Sequence, residues 1–291
     1  MNRASFNRLQ FALSMAVFGT ISLFVRRIPL PSGELAFFRA LLACVLVGAY
    51  LLVTKNNPVK GLNRRSLLLL LLSGGAMGFN WIALFEAYRY TTVSVATLAY
   101  YFAPTLLTLA CFLFLKERAS IKQLVCFALS TAGAALIAGV TSTGGQNHAL
   151  GVALGLVAAL LYATVMFLNK YLGEIRGLVR TFWQFAAAIV VLFPYVLARG
   201  GFHLSSLNGE EIGLLLTVGF IHTGLVYCLY FSSLSKMRGA EAALLSYIDP
   251  LVAVILSVTF LSEPISPWQI IGGVLILGSS LASELSFKKR T

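Results

Sequence analysis

Long apolar segments alternate with short polar ones along the whole chain. Apolar stretches of about 20 residues match a hydrocarbon core of ~30 Å at ~1.5 Å per helical residue. Ten such stretches are predicted to form membrane-spanning helices, at 7–25, 34–53, 66–88, 92–115, 121–140, 149–169, 178–197, 211–233, 239–261 and 267–286. The loops between them are short. The pattern therefore predicts an all-α integral membrane protein without a soluble domain.

One part of this pattern occurs twice. The stretch 94–138 returns without a gap 146 residues later as 240–284, with identities that include Tyr101/Tyr247, Pro104/Pro250, Glu117/Glu263 and Gln123/Gln269. A repeat unit with an odd number of spans must lie upside down relative to its copy. We therefore expect two inverted five-helix halves, residues 1–142 and 143–291, in the arrangement typical of alternating-access transporters.

The positions of the basic residues orient the spans. With both termini in the cytoplasm, 17 of the 22 Lys and Arg residues fall on the cytoplasmic side, and the pair Arg26–Arg27 is the main exception. The loop 116–122 has three basic residues, whereas its repeat partner 262–268 has none, as inverted copies require. The sequence thus predicts a multi-pass protein of the cell membrane with cytoplasmic termini.

Composition narrows the possible functions. The chain is 58% hydrophobic and 11% charged, and its net charge of +12 is spread over six cytoplasmic segments. This distribution favours contact with anionic lipid and argues against nucleic-acid binding. The four cysteines all lie within spans and lack paired spacing, so neither a disulfide framework nor a metal site is predicted. No nucleotide-binding motif is present, and no cofactor is expected. The apolar run at the N-terminus has the length of a span and is interpreted as a retained first helix.

Several local motifs point to a known family. They are Phe38-Arg39 near the start of the second helix, the glycine-rich stretch 74–78, the mid-helix Pro104 and Pro250, and Glu117 and Glu263, each 13 residues after its proline. Each half resembles an EamA domain of the drug/metabolite transporter superfamily. The resemblance implies ten helices in two inverted halves, a central substrate cavity, and export or exchange of small metabolites. The second half has Trp183 at the place of Arg39, so any role of this arginine is confined to one half.

Ionisable residues deep in the membrane are candidates for function, because a charge at the centre of a span costs about 3 kcal/mol. Asp249 lies about ten residues into the ninth helix, and His222 lies at a similar depth in the eighth, so the two could meet and relay a proton. Asp249 is replaced by Ala103 in the first half, so the fold does not require it. The alternatives are a carboxylate that caps freed backbone groups and a histidine that only packs.

Arg39 allows two interpretations. It can reach the surface or pair with Glu34 or Glu86, or it can bind a substrate carboxylate or take part in gating. Glu86 and Arg89 stand at i, i+3 and are expected to form a surface pair, with an outer gate as the alternative.

Polar aromatic residues and prolines cluster at the middle of the membrane. Asn80, Trp81, Tyr101, Tyr227 and Tyr247 are predicted to line a cavity there, with Tyr100 beside them. Trp183 and Gln184 are weaker candidates, since Gln184 can be satisfied by a neighbouring helix. Pro104 and Pro250 are expected to kink their helices, either for packing alone or also as a hinge.

Two further motifs are predicted to be structural. The pairs Gly74/Gly78 and Gly151/Gly155 would let helices approach closely. Glu117 and Glu263 are interpreted as turn residues near helix N-termini, where the dipole favours a carboxylate, with Ser266 as an N-cap before Pro267.

The favoured function is secondary transport, by export or exchange, of small polar or amphipathic metabolites such as amino acids. Coupling of this transport to protons is one form that it could take. The alternatives are an intramembrane enzyme acting on lipid-linked substrates, a multidrug exporter of the same fold, and a membrane receptor. An enzyme would need several convergent catalytic groups, and a receptor a sizeable soluble segment. Small-molecule substrate and membrane lipid are the expected partners, and both monomer and homodimer remain open.

Overall fold

The computed structural model describes residues 3–56, 59, 62–115, 120–139, 147–172, 175–234, 236–237, 242 and 245–287. Within these ranges the chain forms ten helical spans, TM1 to TM10. Their bounds are TM1 (Arg3–Gly19 and Ile21–Val25), TM2 (Ser32–Val53), TM3 (Arg64–Tyr90), TM4 (Val93–Tyr100 and Ala103–Leu115), TM5 (Ile121–Gly139), TM6 (His148–Asn169, followed by a 3-10 turn, Lys170–Leu172), TM7 (Gly177–Ala198), TM8 (Gly209–Leu216, Thr217–Leu225 and Val226–Leu234), TM9 (Ile248–Thr259) and TM10 (Pro267–Phe287).

The predicted all-helical membrane fold is confirmed. Seven spans are long and apolar enough to cross a bilayer by themselves, and TM5, TM9 and TM10 are shorter apolar helices in the part of the chain that is described. TM9 was predicted to begin at residue 239; its described helix begins at Ile248, and most of the stretch 238–244 lies outside the described residues. Glu117 and the adjoining loop, residues 116–119, also lie outside them.

Polar residues at the span ends set where several helices begin. At TM3, Asn63 Oδ1 accepts the N–H of Ser66 at 2.8 Å, and Ser66 Oγ accepts the N–H of Asn63 at 2.7 Å. A Ser–Gln version of this capping box opens TM5 at Ser120 and, at the equivalent place in the second half, TM10 at Ser266. The predicted N-cap at Ser266 is therefore confirmed.

The contacts between spans are related by exchange of the two halves. TM3 packs against TM6 and TM7, and their counterparts are the contacts of TM8 with TM1 and TM2; TM4–TM6 corresponds in the same way to TM9–TM1. The pairs TM2–TM7, TM4–TM9 and TM5–TM10 correspond to themselves. Because each half has an odd number of spans, halves related in this way are inverted, and the ten spans form two inverted five-helix repeats.

Small residues lie where these spans cross most closely. A Cβ on Gly151 of TM6 would lie 2.7 Å from the Thr91 side chain, and Gly74 of TM3 faces the backbone of Gln184 in TM7. Gly133 of TM5 and Gly272 of TM10 face each other's carbonyl oxygens, with Cβ-to-oxygen distances of 2.6 and 2.7 Å. The predicted packing role of the glycine pairs is confirmed, because a larger side chain would force these helices apart.

Candidate functional site

Four spans are interrupted where the two halves meet. TM1 breaks at Thr20, TM4 at 101–102, and TM9 turns at Tyr247, while the middle of TM8 is a π-helix, Thr217–Leu225. Pro104 and Pro250 follow two of these breaks, at the second and third residues of the next helical segment. Proline has no N–H to donate, so the preceding turn loses a backbone hydrogen bond there. The helix breaks therefore coincide with the two prolines, and a kink or hinge at each stays a prediction.

TM1 approaches TM9 through a glycine. A Cβ on Gly19 would lie 2.6 Å from the carbonyl oxygen of Asp249 and 2.8 Å from Cβ of Val252. Only a residue without a side chain allows this approach. The break in TM1 is consequently held against the first turn of TM9.

Asp249 is bonded across the interface between the halves. Its Oδ2 accepts a hydrogen bond from the Tyr101 hydroxyl at 2.7 Å. The rings of Tyr101 and its repeat partner Tyr247 lie 6.4 Å apart, centroid to centroid. The repeated tyrosines therefore meet each other, and one of them orients the unrepeated carboxylate.

Arg39 of TM2 is buried on the other side of this site, with only 6% of the residue exposed. Its Nε donates to Thr223 Oγ1 in the π-helix at 2.8 Å. Its Cζ lies 4.4 Å from the centroid of Trp81 and 5.6 Å from that of Phe85, within the range of cation–π attraction. The charge is thus held by aromatic faces and a hydroxyl.

The expectation that Arg39 reaches the surface or pairs with a glutamate is wrong. Glu34 instead bonds His203, accepting its backbone N–H at 2.7 Å and lying 3.0 Å from its Nδ1. Glu86 accepts the Ser32 hydroxyl at 2.6 Å. Among the described residues, no carboxylate lies within ion-pair distance of Arg39. Asp249 is nevertheless close enough to Arg39 to interact electrostatically.

His222 does not meet Asp249 directly. Its Nε2 lies 2.8 Å from Thr20 Oγ1, and its Nδ1 lies 3.4 Å from the Thr217 carbonyl oxygen. Phe24 covers the ring at 4.5 Å. The expected direct contact between His222 and Asp249 is therefore wrong, since the partner of the Asp249 carboxylate is Tyr101.

The remaining predicted site residues take packing positions. Asn80 donates to the Ala158 carbonyl in TM6 at 2.6 Å, and Tyr227 packs against Phe18 and Phe185 with centroids 5.1 and 5.3 Å away. Trp183 lies against Phe182. Gln184 is satisfied by Ser73 at 2.9 Å and Asn169 at 2.8 Å, as its alternative interpretation predicted. A cavity-lining role of Asn80 and Tyr227 stays a prediction.

Comparison with known proteins identifies the family. The chain matches the EamA-like transporter family over residues 8–139 and 149–283, one match in each predicted half. It belongs to this family. It is 29% identical over 270 residues to "Uncharacterized transporter YxxF" of Bacillus subtilis, covering 92% of this chain and 86% of the relative. It is 26% identical over 248 residues to "Protein PecM" of Dickeya dadantii, covering 82% and 80% of the two chains.

A solved crystal structure supports the EamA architecture. It aligns with 99% of this chain and 98% of its own chain at a TM-score of 0.65, with 16% sequence identity, and so shows the fold alone. Together with the apolar helices, the family match makes this protein a multi-pass membrane transporter and not an enzyme. The resemblance drawn from the short motifs is confirmed.

Three contributors to this EamA site were missed from the sequence: Gly19, Thr20 and Thr223. Thr223 is aimed at Arg39 because it lies in a π-helix, which TM2 contacts through Gly219 and Gly224. A Cβ on Gly224 would lie 3.0 Å from Cβ of Leu46. The sequence did contain one signal for this site: Gly219 and Gly224 on either side of His222, which let TM2 approach TM8 closely. The π-helix between them is of a kind that concentrates at functional sites.

An opening of about 530 Å³ lies at the face where TM1 and TM3 end, the predicted outer face. Arg26, Tyr88, Arg89 and Phe85 are among its lining residues. Phe85, which lines this opening, also lies 5.6 Å from Cζ of the Arg39 guanidinium. Arg89 and Glu86 stand 3.9 Å apart at this face, which confirms the predicted i, i+3 pair.

Proposed function

We propose that this EamA protein is a secondary transporter that exports or exchanges small zwitterionic metabolites, such as amino acids, by alternating access of its two halves. The observation that carries the proposal is the placement of two opposite charges. Arg39 comes from TM2 of the first half and bonds the π-helix of TM8, and Asp249 comes from the second half, in the first turn of TM9 after its break. Among the described residues no ion pair joins them, and each has a neutral partner, Thr223 for Arg39 and Tyr101 for Asp249.

Two opposite charges held apart inside the membrane favour a ligand that carries the complementary charges. The guanidinium of Arg39 would receive a carboxylate, and the carboxylate of Asp249 would receive an ammonium group. Each pairing is strengthened by the low dielectric of the interior. A bound zwitterion would therefore offset the cost of keeping both groups inside the membrane.

The aromatic side chains around these charges favour an apolar substituent on the substrate. Trp81 faces the Arg39 guanidinium, and Tyr101 bonds Asp249 with Tyr247 beside it; each of these rings carries one polar atom. Such surfaces accommodate apolar and aromatic groups at little desolvation cost. We expect a preference for amino acids with apolar or aromatic side chains over small hydrophilic ones.

The carboxylate also offers a route to proton coupling. An ammonium group and a proton would both neutralise Asp249, so the two should compete for it. Proton binding from one side and substrate binding from the other would then couple their movements. His222 would contribute through Arg39 and not by direct proton transfer, since its ring nitrogens face Thr20 and Thr217.

Ligand stabilisation of the purified protein tests the binding site. Amino acids are compared with the matching amines, which lack the carboxylate, and the matching acids, which lack the ammonium. The proposal expects the complete zwitterion to raise the melting temperature most, and Arg39→Gln and Asp249→Asn to abolish that rise. Glu86→Gln and Arg89→Gln are the matched controls, because they remove charges of the same types at the predicted outer face. Equal stabilisation of wild type and both site variants would overturn the proposal.

Net uptake and counterflow in proteoliposomes test whether substrate transport is coupled to protons. Wild-type net uptake should follow an imposed pH gradient, whereas Asp249→Asn should retain only exchange or lose transport. Uptake that ignores the gradient in the wild type would overturn the coupling and leave the binding site intact. Stabilisation by organic cations that persists in Arg39→Gln would instead favour a multidrug exporter of the same fold.

A further inference from the structure

A buried glutamate gathers donors from several spans at the predicted outer face. Glu263, 9% exposed, forms an ion pair through Oε1 with Nη1 of Arg26. Its Oε2 accepts the backbone N–H of Val93 at 2.8 Å and the hydroxyl of Ser257. Because Val93 is the first residue of the TM4 helix, the carboxylate also faces the positive end of that helix dipole.

This arrangement corrects the expectation that Glu263 is a turn residue at its own helix. TM10 is capped by Ser266 and Gln269, and Glu263 caps TM4 of the other half. The Arg26 side chain also donates to the Tyr88 carbonyl, with distances of 3.2 Å from Nε and 2.7 Å from Nη2. A carboxylate does lie at a helix N-terminus, as predicted, but that helix is TM4, which is distant from Glu263 in the sequence.

The network joins the two halves. Arg26, Tyr88 and Val93 belong to the first half, at the ends of TM1 and TM3 and the start of TM4. Ser257 and Glu263 belong to the second half, at the end of TM9 and the loop after it. Any motion that separates the outer ends of TM4 and TM9 from TM1 must break these bonds.

The opposite face has an inverted counterpart. Arg26 is the C-cap residue of TM1, and Lys170 is the C-cap residue of TM6, the first span of the second half. Lys170 Nζ lies 2.9 Å from Sγ of Cys111, and Cys111 is the repeat partner of Ser257. On each face, a cation from the first span of one half is therefore linked to the fourth span of the other: Lys170 contacts Cys111 directly, and Arg26 is joined to Ser257 through Glu263.

We propose that Arg26, Ser257, Glu263 and the N-terminus of TM4 form an outer latch, which closes the outer face in this conformation and opens as the halves exchange. The Lys170–Cys111 contact marks the corresponding inner position. Arg26 lines the outer opening and is 32% exposed, so water and solutes reach the latch directly. The latch rests on the alternating access of the proposed function, but it concerns access and not substrate binding.

Accessibility of a cysteine below the latch tests the proposal. Ser94 is 1% exposed, follows Val93, and has its N–H 3.3 Å from Ser257 Oγ, so Ser94→Cys places a small reporter behind the latch. Intact cells are treated with a membrane-impermeant maleimide, and labelling of protein without the reporter gives the background of native cysteines. Glu210→Cys, in an exposed position before TM8, verifies that the reagent reaches this face.

The latch predicts slow labelling of the reporter in an otherwise wild-type protein. Arg26→Gln and Glu263→Gln should each label about tenfold faster, which corresponds to ~1.4 kcal/mol of lost closure. The exchange Arg26→Glu with Glu263→Arg should restore part of the protection. Arg89→Gln and Glu86→Gln, which alter the neighbouring outer ion pair, should leave the rate unchanged.

Unchanged labelling in both latch variants would overturn the latch, and so would equal acceleration by the control variants. Melting temperatures of the purified variants show whether faster labelling reflects unfolding. If labelling accelerates, the melting temperature falls steeply and the charge exchange does not restore protection, the result also counts against the latch. Failure of the proposed function would give a different result from failure of the latch. If latch variants label faster while Asp249→Asn binds and transports like wild type, the latch stands and the substrate site does not.

Discussion

Gly19 of TM1 gives the sharpest test of how the site is assembled. Replacing it by alanine places a Cβ 2.6 Å from the Asp249 carbonyl oxygen and 2.8 Å from Cβ of Val252. Ordinary van der Waals contact begins near 3.4 Å, so either TM1 or the start of TM9 must move by almost 1 Å. Neither neighbour is the free end of a flexible side chain, and the movement cannot be avoided by rotation about a side-chain bond.

The magnitude follows from two opposing effects. Overpacking of a tight contact costs ~1–3 kcal/mol. Alanine is the better helix former and recovers up to ~1 kcal/mol. The net destabilisation is therefore roughly 1–2 kcal/mol, which lowers a melting temperature by about 2–8 °C at ~2–4 °C per kcal/mol. Because the displaced carbonyl belongs to Asp249, substrate affinity should fall as well.

Thermal unfolding in detergent, followed by intrinsic fluorescence, measures the effect. Gly213→Ala is the matched control, since Gly213 lies in the exposed first helix of TM8 and a Cβ there meets nothing within 4 Å. Its melting temperature should stay the same or rise. If Gly19→Ala is as stable as Gly213→Ala, TM1 is not held against TM9 as described, and the assembly of the site is wrong.

Three further variants test separate contacts. Gly133→Ala should lower the melting temperature without changing substrate affinity, because Gly133 meets Gly272 of TM10 far from the charged pair; an unchanged melting temperature would contradict the close crossing. Asn80→Ala should destabilise by ~1 kcal/mol through the loss of an interhelical hydrogen bond, and a selective loss of substrate binding would instead place Asn80 in the cavity. Tyr101→Phe should weaken substrate binding about tenfold, or ~1.4 kcal/mol, because Asp249 loses a donor, and an unchanged dissociation constant in a calorimetric titration would refute this role.

The spans and their inversion were predictable because they depend on properties of the linear sequence. Apolar length predicts each crossing, and the 146-residue repeat predicts which spans correspond. Pro104 and Pro250 also indicated where TM4 and TM9 are interrupted, because proline lacks a backbone N–H donor. These features need no knowledge of which spans are neighbours.

The partners of the charged residues were not predictable in the same way. One of the two interpretations of Arg39 paired it with Glu34 or Glu86, whereas its partners are Thr223 and Trp81 on two other spans. The π-helix that presents Thr223 depends on close packing of TM8 against TM2, which a helical pattern with a period of 3.6 residues does not reveal. The helix contacted by Glu263 was mispredicted for a related reason, because the helix N-terminus that its carboxylate caps belongs to the other half.

The unequal chemistry of the two faces has an energetic consequence for the resting protein. If the halves were identical in sequence, rotation about the pseudo-two-fold axis would interconvert two conformations of equal free energy, and half of the molecules would face each way. The two copies are not identical, because Arg26 and Ser257 occupy one face at the positions where Lys170 and Cys111 occupy the other. Under the proposed alternating access, such differences give the two conformations unequal free energies, and a substrate or an ion gradient must supply the difference.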